Sequence, residues 1–163
     1  VAGSDPGGRI GQSTINGTLL TKVACEVAVG KRPHVSIFGT DYPTQDGTGV
    51  RDYIHVEDLA DAHLRALDYL KKGGESTTLN CGYGHGYSVR EVLATVERLN
   101  GRPLATIESP RRAGDPPSLV ARADRVRQVL SWSPRHDNLD AIVRSQLEWE
   151  RRLQREPQLQ RNS

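Results

Sequence analysis

The sequence is poor in several residue types and patterns, and each shortage excludes a class of protein. Its 163 residues include only two cysteines and no methionine. No apolar run approaches the roughly 18 residues that a membrane-spanning helix needs. Cys25 and Cys81 stand in apolar surroundings without the spacing of a metal or redox motif, so we expect small core residues. We therefore expect neither a disulfide scaffold nor a membrane-spanning segment in this chain, and the expected compartment is the cytoplasm.

The sequence also lacks a strong excess of charge of one sign. Lys and Arg number 22 against 20 Asp and Glu, a formal net charge of +2. The basic residues have no interleaved aromatic residues on which bases would stack, so we expect no nucleic-acid partner. With 36% hydrophobic and 26% charged residues, the composition fits one globular domain. Because the chain begins with Val1 and has no Met, we expect a fragment or a chain with processed ends.

Helical and strand patterns alternate along the chain, which predicts an α/β domain. Ser88 and Glu91 have the form of a capping box. The polar residues 151–163 have no pattern, so we expect a flexible tail behind a unit of residues 1–150. Helical periodicity covers 18–29, 57–70, 92–99, 124–130 and 138–149, and strand patterns cover 35–38, 53–56, 77–81 and 104–107.

A glycine-rich stretch at 82–88 lies between a predicted strand and a predicted helix, where a dinucleotide fingerprint would lie. Its spacing is G-x-G-x-G rather than G-x-G-x-x-G, and no following strand ends in a suitably placed acidic residue. We interpret the stretch as a loop with positive φ angles that is capped by Ser88. The sequence thus predicts no cofactor-binding residue.

The histidines form no metal-binding pattern. None belongs to a pair with the spacing of H-E-x-x-H, and no serine lies in a G-x-S-x-G context. His63 lies four residues after Leu59 on the apolar side of its predicted helix, so we expect a buried histidine. The sequence predicts neither a metal site nor a catalytic residue.

Two arginines in loops are the best candidates for ligand binding. Arg51 follows the glycine-rich residues 47–49, and Arg112 lies in the stretch RRAGD. Two guanidinium groups suit a pyrophosphate, although each also suits a surface ion pair. Asp115 could accept a ribose hydroxyl or act as a turn carboxylate. Phe38, the only phenylalanine, could flank a base or join the core.

Several stretches together resemble the UDP-glucose 4-epimerase family of extended short-chain dehydrogenase/reductases. They are VAG at 1–3, IFGTDYPT at 37–44, DGTGVRDYIHV at 46–56, DLADAH at 58–63, LNCGYG at 79–84 with GYSV at 86–89, and RRAGD at 111–115. The resemblance runs to about Arg151. It implies an α/β fold, namely the C-terminal substrate-binding part of an extended Rossmann-type fold, without the N-terminal dinucleotide-binding part. Residues 1–150 would be the portion that binds a UDP-sugar.

The resemblance also assigns a nucleotide site. Arg51 and Arg112 match the arginines that hold the UDP pyrophosphate, and Asp115 matches the carboxylate on the ribose. The residues expected around the uracil and the rest of the nucleotide are Ser36, Ile37, Phe38, Thr18 and Leu20. The sequence departs from the family pattern at Leu19, which replaces a polar residue, and at Lys22, which replaces a proline.

The resemblance implies a part of an enzyme that interconverts UDP-glucose and UDP-galactose through an NAD-dependent 4-keto intermediate. The family's Tyr-x-x-x-Lys pair and NAD fingerprint have no counterpart in this sequence, so we expect this chain alone to be inactive and NAD to be bound by the missing portion. The complete enzyme is expected to be a homodimer. The alternatives are a UDP-arabinose or UDP-glucuronate 4-epimerase, or a non-catalytic nucleotide-sugar-binding fragment.

Overall fold

Helices and strands are interspersed along the chain, as the sequence predicts for an α/β domain. The structure is a computed structural model that describes residues 1–156 and Leu159. Within these residues the elements are α1 Leu20–Ala28, β1 Val35–Phe38, β2 Val50–Arg51, α2 Val56–Lys71, β3 Tyr87–Ser88, α3 Val89–Asn100, β4 Thr106–Ser109, β5 Ser118–Leu119, α4 Asp124–Leu130 and α5 Leu139–Arg155. None of these helices is long and apolar enough to cross a membrane.

The five strands form two small sheets. β1 pairs with β4 in parallel, with Phe38 opposite Ser109. β2 lies between β3, which is antiparallel to it, and β5, which is parallel. The segment 110–117 connects β4 to β5 and therefore passes from one sheet to the other. This connection brings the carboxyl end of β1 and the strand β2 to a common loop.

Two hydrophobic cores hold the elements together, and α5 contributes to both. The first core lies between α1, α3, α5 and β1, where Leu139, Val143 and Leu147 of α5 pack. The second core contains Ile142 of α5 together with Ala2, Ile54, Ala62, Tyr83, Ala123, Val126, Leu130 and Trp132. Because α5 is apolar on both of these faces, it joins the two cores into one unit.

The start of α3 has the predicted capping box. Ser88 Oγ accepts a hydrogen bond from the backbone N–H of Glu91 at 3.0 Å, and the Glu91 carboxylate accepts one from the Ser88 N–H at 2.6 Å. The helix ends at Gly101, whose φ of 73° lies in the left-handed region that favours glycine. Caps of this kind contribute about 1 kcal/mol to stability. The predicted capping box is confirmed.

Both cysteines contact a core. Cys25 is fully buried in the first core, and Cys81 is half-buried against the second. Burial raises the pKa of both thiols, which keeps them in the protonated, unreactive form.

Two predicted strands are wrong. In 53–56 there is only a single bridge, between Ala2 and His55, and α2 begins at Val56 because the His55 ring caps it. In 77–81 no strand forms; the backbone and side-chain oxygens of Thr77 and Thr78 instead bond the Arg125 guanidinium. The strand predicted at 104–107 forms two residues later, as β4, where residues 106–109 pair with β1.

Helix boundaries and faces also differ in part. α5 extends to Arg155, so residues 151–155 of the predicted tail are helical; residues 157, 158 and 160–163 lie outside the described residues. His63 is exposed and its ring bonds the Leu59 carbonyl, so the expectation of a buried histidine is wrong. The cause is that α2 packs on one side only, which leaves Leu67 and Leu70 about half exposed as well.

Candidate functional site

The two predicted arginines converge on one carboxylate. Arg51 Nη2 lies 3.8 Å from Asp115 Oδ1, and Arg112 Nε lies 3.0 Å from Asp115 Oδ2. Arg51 belongs to the central strand β2, whereas Arg112 and Asp115 belong to the segment 110–117. The passage of that segment between the sheets therefore brings Arg112 and Asp115 close to Arg51, which is distant from both in sequence.

Phe38 lies beside this group as an exposed aromatic surface. The Arg112 guanidinium carbon is 4.7 Å from the centre of the Phe38 ring, a cation–π contact. The ring is 40% exposed, whereas the preceding Ile37 is 3% exposed and packs in the first core. Ser36, two residues before Phe38, shares its face of β1 and is half-buried. Phe38 therefore does not join the core, and its ring is accessible to a ligand at the surface.

Thr18 and Leu20 lie at the start of α1. Thr18 is exposed, and Leu20 packs partly against the first core. The intervening Leu19 is 44% exposed and lines a separate cavity of about 650 Å³ between the first residues of the chain and α2. The contacts that join Arg51, Arg112, Asp115 and Phe38 do not include this segment.

The chemistry of Arg51, Arg112, Asp115 and Phe38 suits an anion attached to a flat group. Two guanidinium groups and one carboxylate leave an excess of one positive charge, and Arg112 and Phe38 are both accessible to solvent. A guanidinium bonds phosphate and carboxylate oxygens with paired N–H groups. The only carboxylate of the four, Asp115, is paired with both arginines, so the arrangement favours binding rather than bond cleavage.

The loop before Arg51 is fixed by a carboxylate that sequence reasoning missed. Asp46 accepts hydrogen bonds from the Thr48 N–H at 2.9 Å, from the Thr48 hydroxyl at 2.7 Å and from the Ser88 hydroxyl. Burial would raise the pKa of Asp46, but the bonds from Ser88 and Thr48 lower it overall. The signal was present in the sequence, because an Asp two residues before a Thr favours such a turn.

A second carboxylate, the buried Asp58, fixes the position of the glycine-rich loop 82–88. Tyr83 donates a hydrogen bond from its hydroxyl to Asp58 Oδ2 at 2.6 Å, and the N–H groups of Arg135 and His136 donate to the same carboxylate at 2.8 and 2.9 Å. Burial opposes the charge on Asp58, but these donors lower its pKa overall. The loop therefore connects α2 to the segment before α5.

Three possible metal ligands lie near the start of α2. Ligand atoms of His55, Glu57 and His136 are within 4.8 Å of one another. His55 Nδ1 accepts a hydrogen bond from the Glu57 N–H, and Nε2 lies 3.2 Å from Ser145 Oγ, which donates its own proton to the Ile142 carbonyl. Both ring nitrogens are thus engaged, and the bonding pattern assigns a neutral imidazole with its proton on Nε2. A cation bound to His55 would therefore replace one of these two hydrogen bonds.

The neutral state of His55 predicts a loss of stability in mild acid. Burial and the nearby His136 lower the pKa of His55. The unfolded state therefore binds this proton first, and the free energy of unfolding falls as the pH drops below about 6.5, the ordinary value for histidine. In thermal unfolding between pH 7.5 and 5.5, His55→Asn should show a smaller loss than the unchanged protein, since Asn keeps a capping oxygen and does not titrate. The exposed variant His63→Asn should lose as much as the unchanged protein; equal losses in all three would contradict the assignment.

Sequence comparisons find relatives along nearly the whole chain. The model of the NAD dependent epimerase/dehydratase family matches residues 6–82. The UDP-glucose 4-epimerase of Azospirillum brasilense is 58% identical over 154 residues, which are 94% of this chain and 44% of that protein. The UDP-glucose 4-epimerase of Rhizobium meliloti is 50% identical over 151 residues, 93% of this chain and 46% of that protein. The chain spans less than half the length of these curated relatives.

Solved structures give the same picture. A UDP-glucose 4-epimerase from Stenotrophomonas maltophila with bound NAD and formylated UDP-arabinopyranose matches with a TM-score of 0.91 and 39% identity, over 95% of this chain and 46% of that chain. The enzyme from Bifidobacterium longum in complex with NAD+ and UDP matches with a TM-score of 0.83 and 36% identity, over 93% and 45%. The fold is therefore that of the Rossmann-type epimerases, present here as a partial α/β fold, and the predicted fold class is confirmed. Within this class, the relatives strongly support the UDP-glucose 4-epimerase family.

Proposed function

We propose that this chain is the C-terminal, UDP-binding part of a UDP-glucose 4-epimerase. The observation that carries the proposal is the convergence of Arg51 and Arg112 on Asp115, with Phe38 beneath Arg112. The assignment to the C-terminal half, and of residues 1–150 to UDP-sugar binding, rests on the resemblance of the sequence stretches. Both are parts of the proposal.

In this proposal the pyrophosphate takes the place that Asp115 now holds between the arginines. Phosphate oxygens accept the paired N–H groups of Arg51 and Arg112, and Asp115 turns to accept a ribose hydroxyl. Phe38 offers its exposed face to the uracil, with Ser36 and Ile37 in the same strand and Thr18 and Leu20 completing the nucleotide contact. The excess positive charge of the site attracts the anionic ligand before contact is made.

The loop 82–88 does not fit a dinucleotide. A Cβ at Gly82 would lie 2.7 Å from the Asp52 carboxylate, and one at Gly86 would lie 2.8 Å from the Val120 side chain and 2.9 Å from the Arg51 carbonyl. These glycines permit close packing against β2 and the residues that follow β2 and β5, rather than the approach of a phosphate. We therefore assign the NAD of the complete enzyme to a portion outside this chain and derive no step through it.

The contribution of this chain to catalysis is then to bind and orient. UDP does not react in the interconversion of UDP-glucose and UDP-galactose, so its binding energy serves to place the sugar. A homodimer and a cytoplasmic location of the complete enzyme belong to the same proposal.

One observation favours a second candidate, a UDP-arabinose 4-epimerase. The Stenotrophomonas maltophila structure holds formylated UDP-arabinopyranose. The proposed residues contact the nucleotide and not the sugar, so both candidates use the same site. Substrate profiling of the complete enzyme with UDP-glucose and UDP-arabinose separates them.

The test of the proposed function is the affinity of the chain for UDP. Arg112→Ala should weaken UDP binding by about tenfold or more in isothermal titration, because a charge-assisted pair of hydrogen bonds is lost. The matched control is Arg111→Ala. Arg111 is the adjacent exposed arginine, but it pairs with Asp41 and stacks on Tyr42.

Binding of uridine identifies the part of the ligand that Arg112 holds. Uridine has no pyrophosphate, so its affinity should change much less than that of UDP. Equal effects of the two arginine variants, or no UDP binding by the unchanged chain, would refute the proposal.

A further inference from the structure

A cluster of five charged side chains, three of them buried, joins α1, α5 and the turn after α1. Its members are Lys22, Glu26, Lys31, Arg32 and Glu150, which we call the ion cluster. Lys22 and Glu150 are fully buried, and Lys22 Nζ lies 2.9 Å from Glu150 Oε1 and 3.1 Å from Glu26 Oε1. Lys31 Nζ lies 2.9 Å from the other oxygen of Glu150, and Arg32 pairs with Glu26. Every charge in the cluster thus has an opposite neighbour.

The ion cluster also holds a stretch of chain without regular structure, residues 11–17. Lys22 Nζ donates to the Gln12 carbonyl at 3.3 Å, and the Trp149 indole N–H donates to the same carbonyl at 3.0 Å. Arg32 donates to the Gly17 carbonyl at 2.9 Å. The segment is therefore fixed near both of its ends by side chains of α1, α5 and the turn.

Close packing reinforces these bonds. A Cβ at Gly11 would lie 2.5 Å from the Trp149 ring, and a Cβ at Gly17 would lie 2.8 Å from Lys22 Cδ. The backbone of 11–17 therefore lies directly on the side chains of Trp149 and Lys22.

This segment leads without interruption into residues 18–20. We infer that Lys22 is a positioning residue for nucleotide binding: through the Gln12 carbonyl it fixes the path of 11–17 and hence the place of Thr18 and Leu20. The inference rests on the proposed function, which assigns Thr18 and Leu20 to the nucleotide. Lys22 cannot act by direct contact with a ligand in solvent, because its side chain is fully buried.

The buried ion pair of Lys22 and Glu150 is better suited to fix the geometry of the chain than to stabilise the fold. Removing two charges from water costs about as much as their attraction returns, so a buried ion pair adds little net stability compared with apolar residues of the same size. Its strict distances and angles instead select one arrangement of the chain. Here that arrangement includes a backbone carbonyl, which apolar packing could not hold.

The test compares three variants of this chain by titration with UDP. Lys22→Met removes the bond to Gln12 and should weaken UDP binding by about tenfold, the equivalent of one lost hydrogen bond to a charged group. Trp149→Phe removes the second bond to the same carbonyl, keeps an aromatic ring against Gly11 and leaves the ion cluster intact. It should weaken binding about threefold to tenfold. Lys31→Met disturbs the ion cluster at Glu150 without touching 11–17, and it should leave the UDP affinity unchanged although it lowers the melting temperature.

Amide hydrogen exchange distinguishes a local loosening of residues 12–20 from a general loss of stability. Lys22→Met and Trp149→Phe should speed exchange in residues 12–20, whereas Lys31→Met should not. Suppose that the unchanged chain binds UDP. The inference is overturned if Lys22→Met and Trp149→Phe both leave the UDP affinity unchanged, or if Lys31→Met lowers it as much as they do. Absence of UDP binding by the unchanged chain overturns the proposed function instead. If Lys22→Met does not fold, Trp149→Phe and Lys31→Met decide the question.

Discussion

Gly47→Ala is expected to destabilise the chain by about 3 kcal/mol, one of the two largest effects among our predictions. Gly47 has a φ of 80°, and a Cβ there would lie 2.2 Å from the Thr40 carbonyl oxygen. That oxygen belongs to the backbone and cannot turn aside. The Tyr42 N–H bonds the Gly47 carbonyl, so the whole loop before Arg51 must shift to admit the methyl group.

The matched control is Gly73→Ala. Gly73 has a φ of 83°, nearly the same as Gly47, but nothing lies within 4 Å of the position of its Cβ. It should lose only the conformational cost of an alanine in this region, about 1 kcal/mol. The difference between the two variants in urea unfolding isolates the contact with Thr40. Equal losses would show that the loop 40–49 is free to rearrange.

Asp58→Asn should cost about 3 kcal/mol, the second large effect. The carboxylate accepts bonds from the Tyr83 hydroxyl and from two backbone N–H groups. An amide presents an NH2 to at least one of these donors, which leaves a buried donor without an acceptor. It also removes a negative charge from the first turn of α2, where the helix dipole favours one.

The matched control is Asp61→Asn, one turn further along α2. Asp61 forms a partly exposed ion pair with Arg65, worth no more than about 0.5 kcal/mol. Chemical denaturation at pH 7 measures both variants. Since the pKa of Asp58 is lowered on folding, its contribution is present above about pH 4 and is lost as the pH falls through the folded pKa. In Asp58→Asn the free energy of unfolding should therefore fall less steeply as the pH is lowered below about 4, whereas in Asp61→Asn it should fall as in the unchanged protein.

Local signals account for the parts of the fold that the sequence predicted well. The strand at 35–38 is bounded by a proline and a glycine, and the capping box of Ser88 and Glu91 involves residues three apart. The failures at 53–56 and 77–81 have a different origin. An extended segment becomes a strand only if a partner lies alongside, and the partner is decided by the tertiary fold.

The same distinction applies to the site. Arg51, Arg112 and Asp115 could be proposed from glycine-rich loops and from the resemblance, and the structure places them together. The buried polar groups escaped prediction because their partners are distant, as with Lys22 and Glu150, which are 128 residues apart. Periodicity also assigned the wrong histidine to the interior, since it describes one helix and not what covers it.

The segment 110–117 is anchored at both ends, to β1 through β4 and to β2 through β5. Hydrogen bonds from the Gly39 N–H to Ser109 and from the Val50 N–H to Pro117 fix the two junctions. The segment is therefore held at both of its ends, and between them the exposed side chain of Arg112 is free to rotate. In the proposed function, a nucleotide would enter by displacing Asp115 from the two arginines through rotation of side chains, and salt would slow its association by screening their charges.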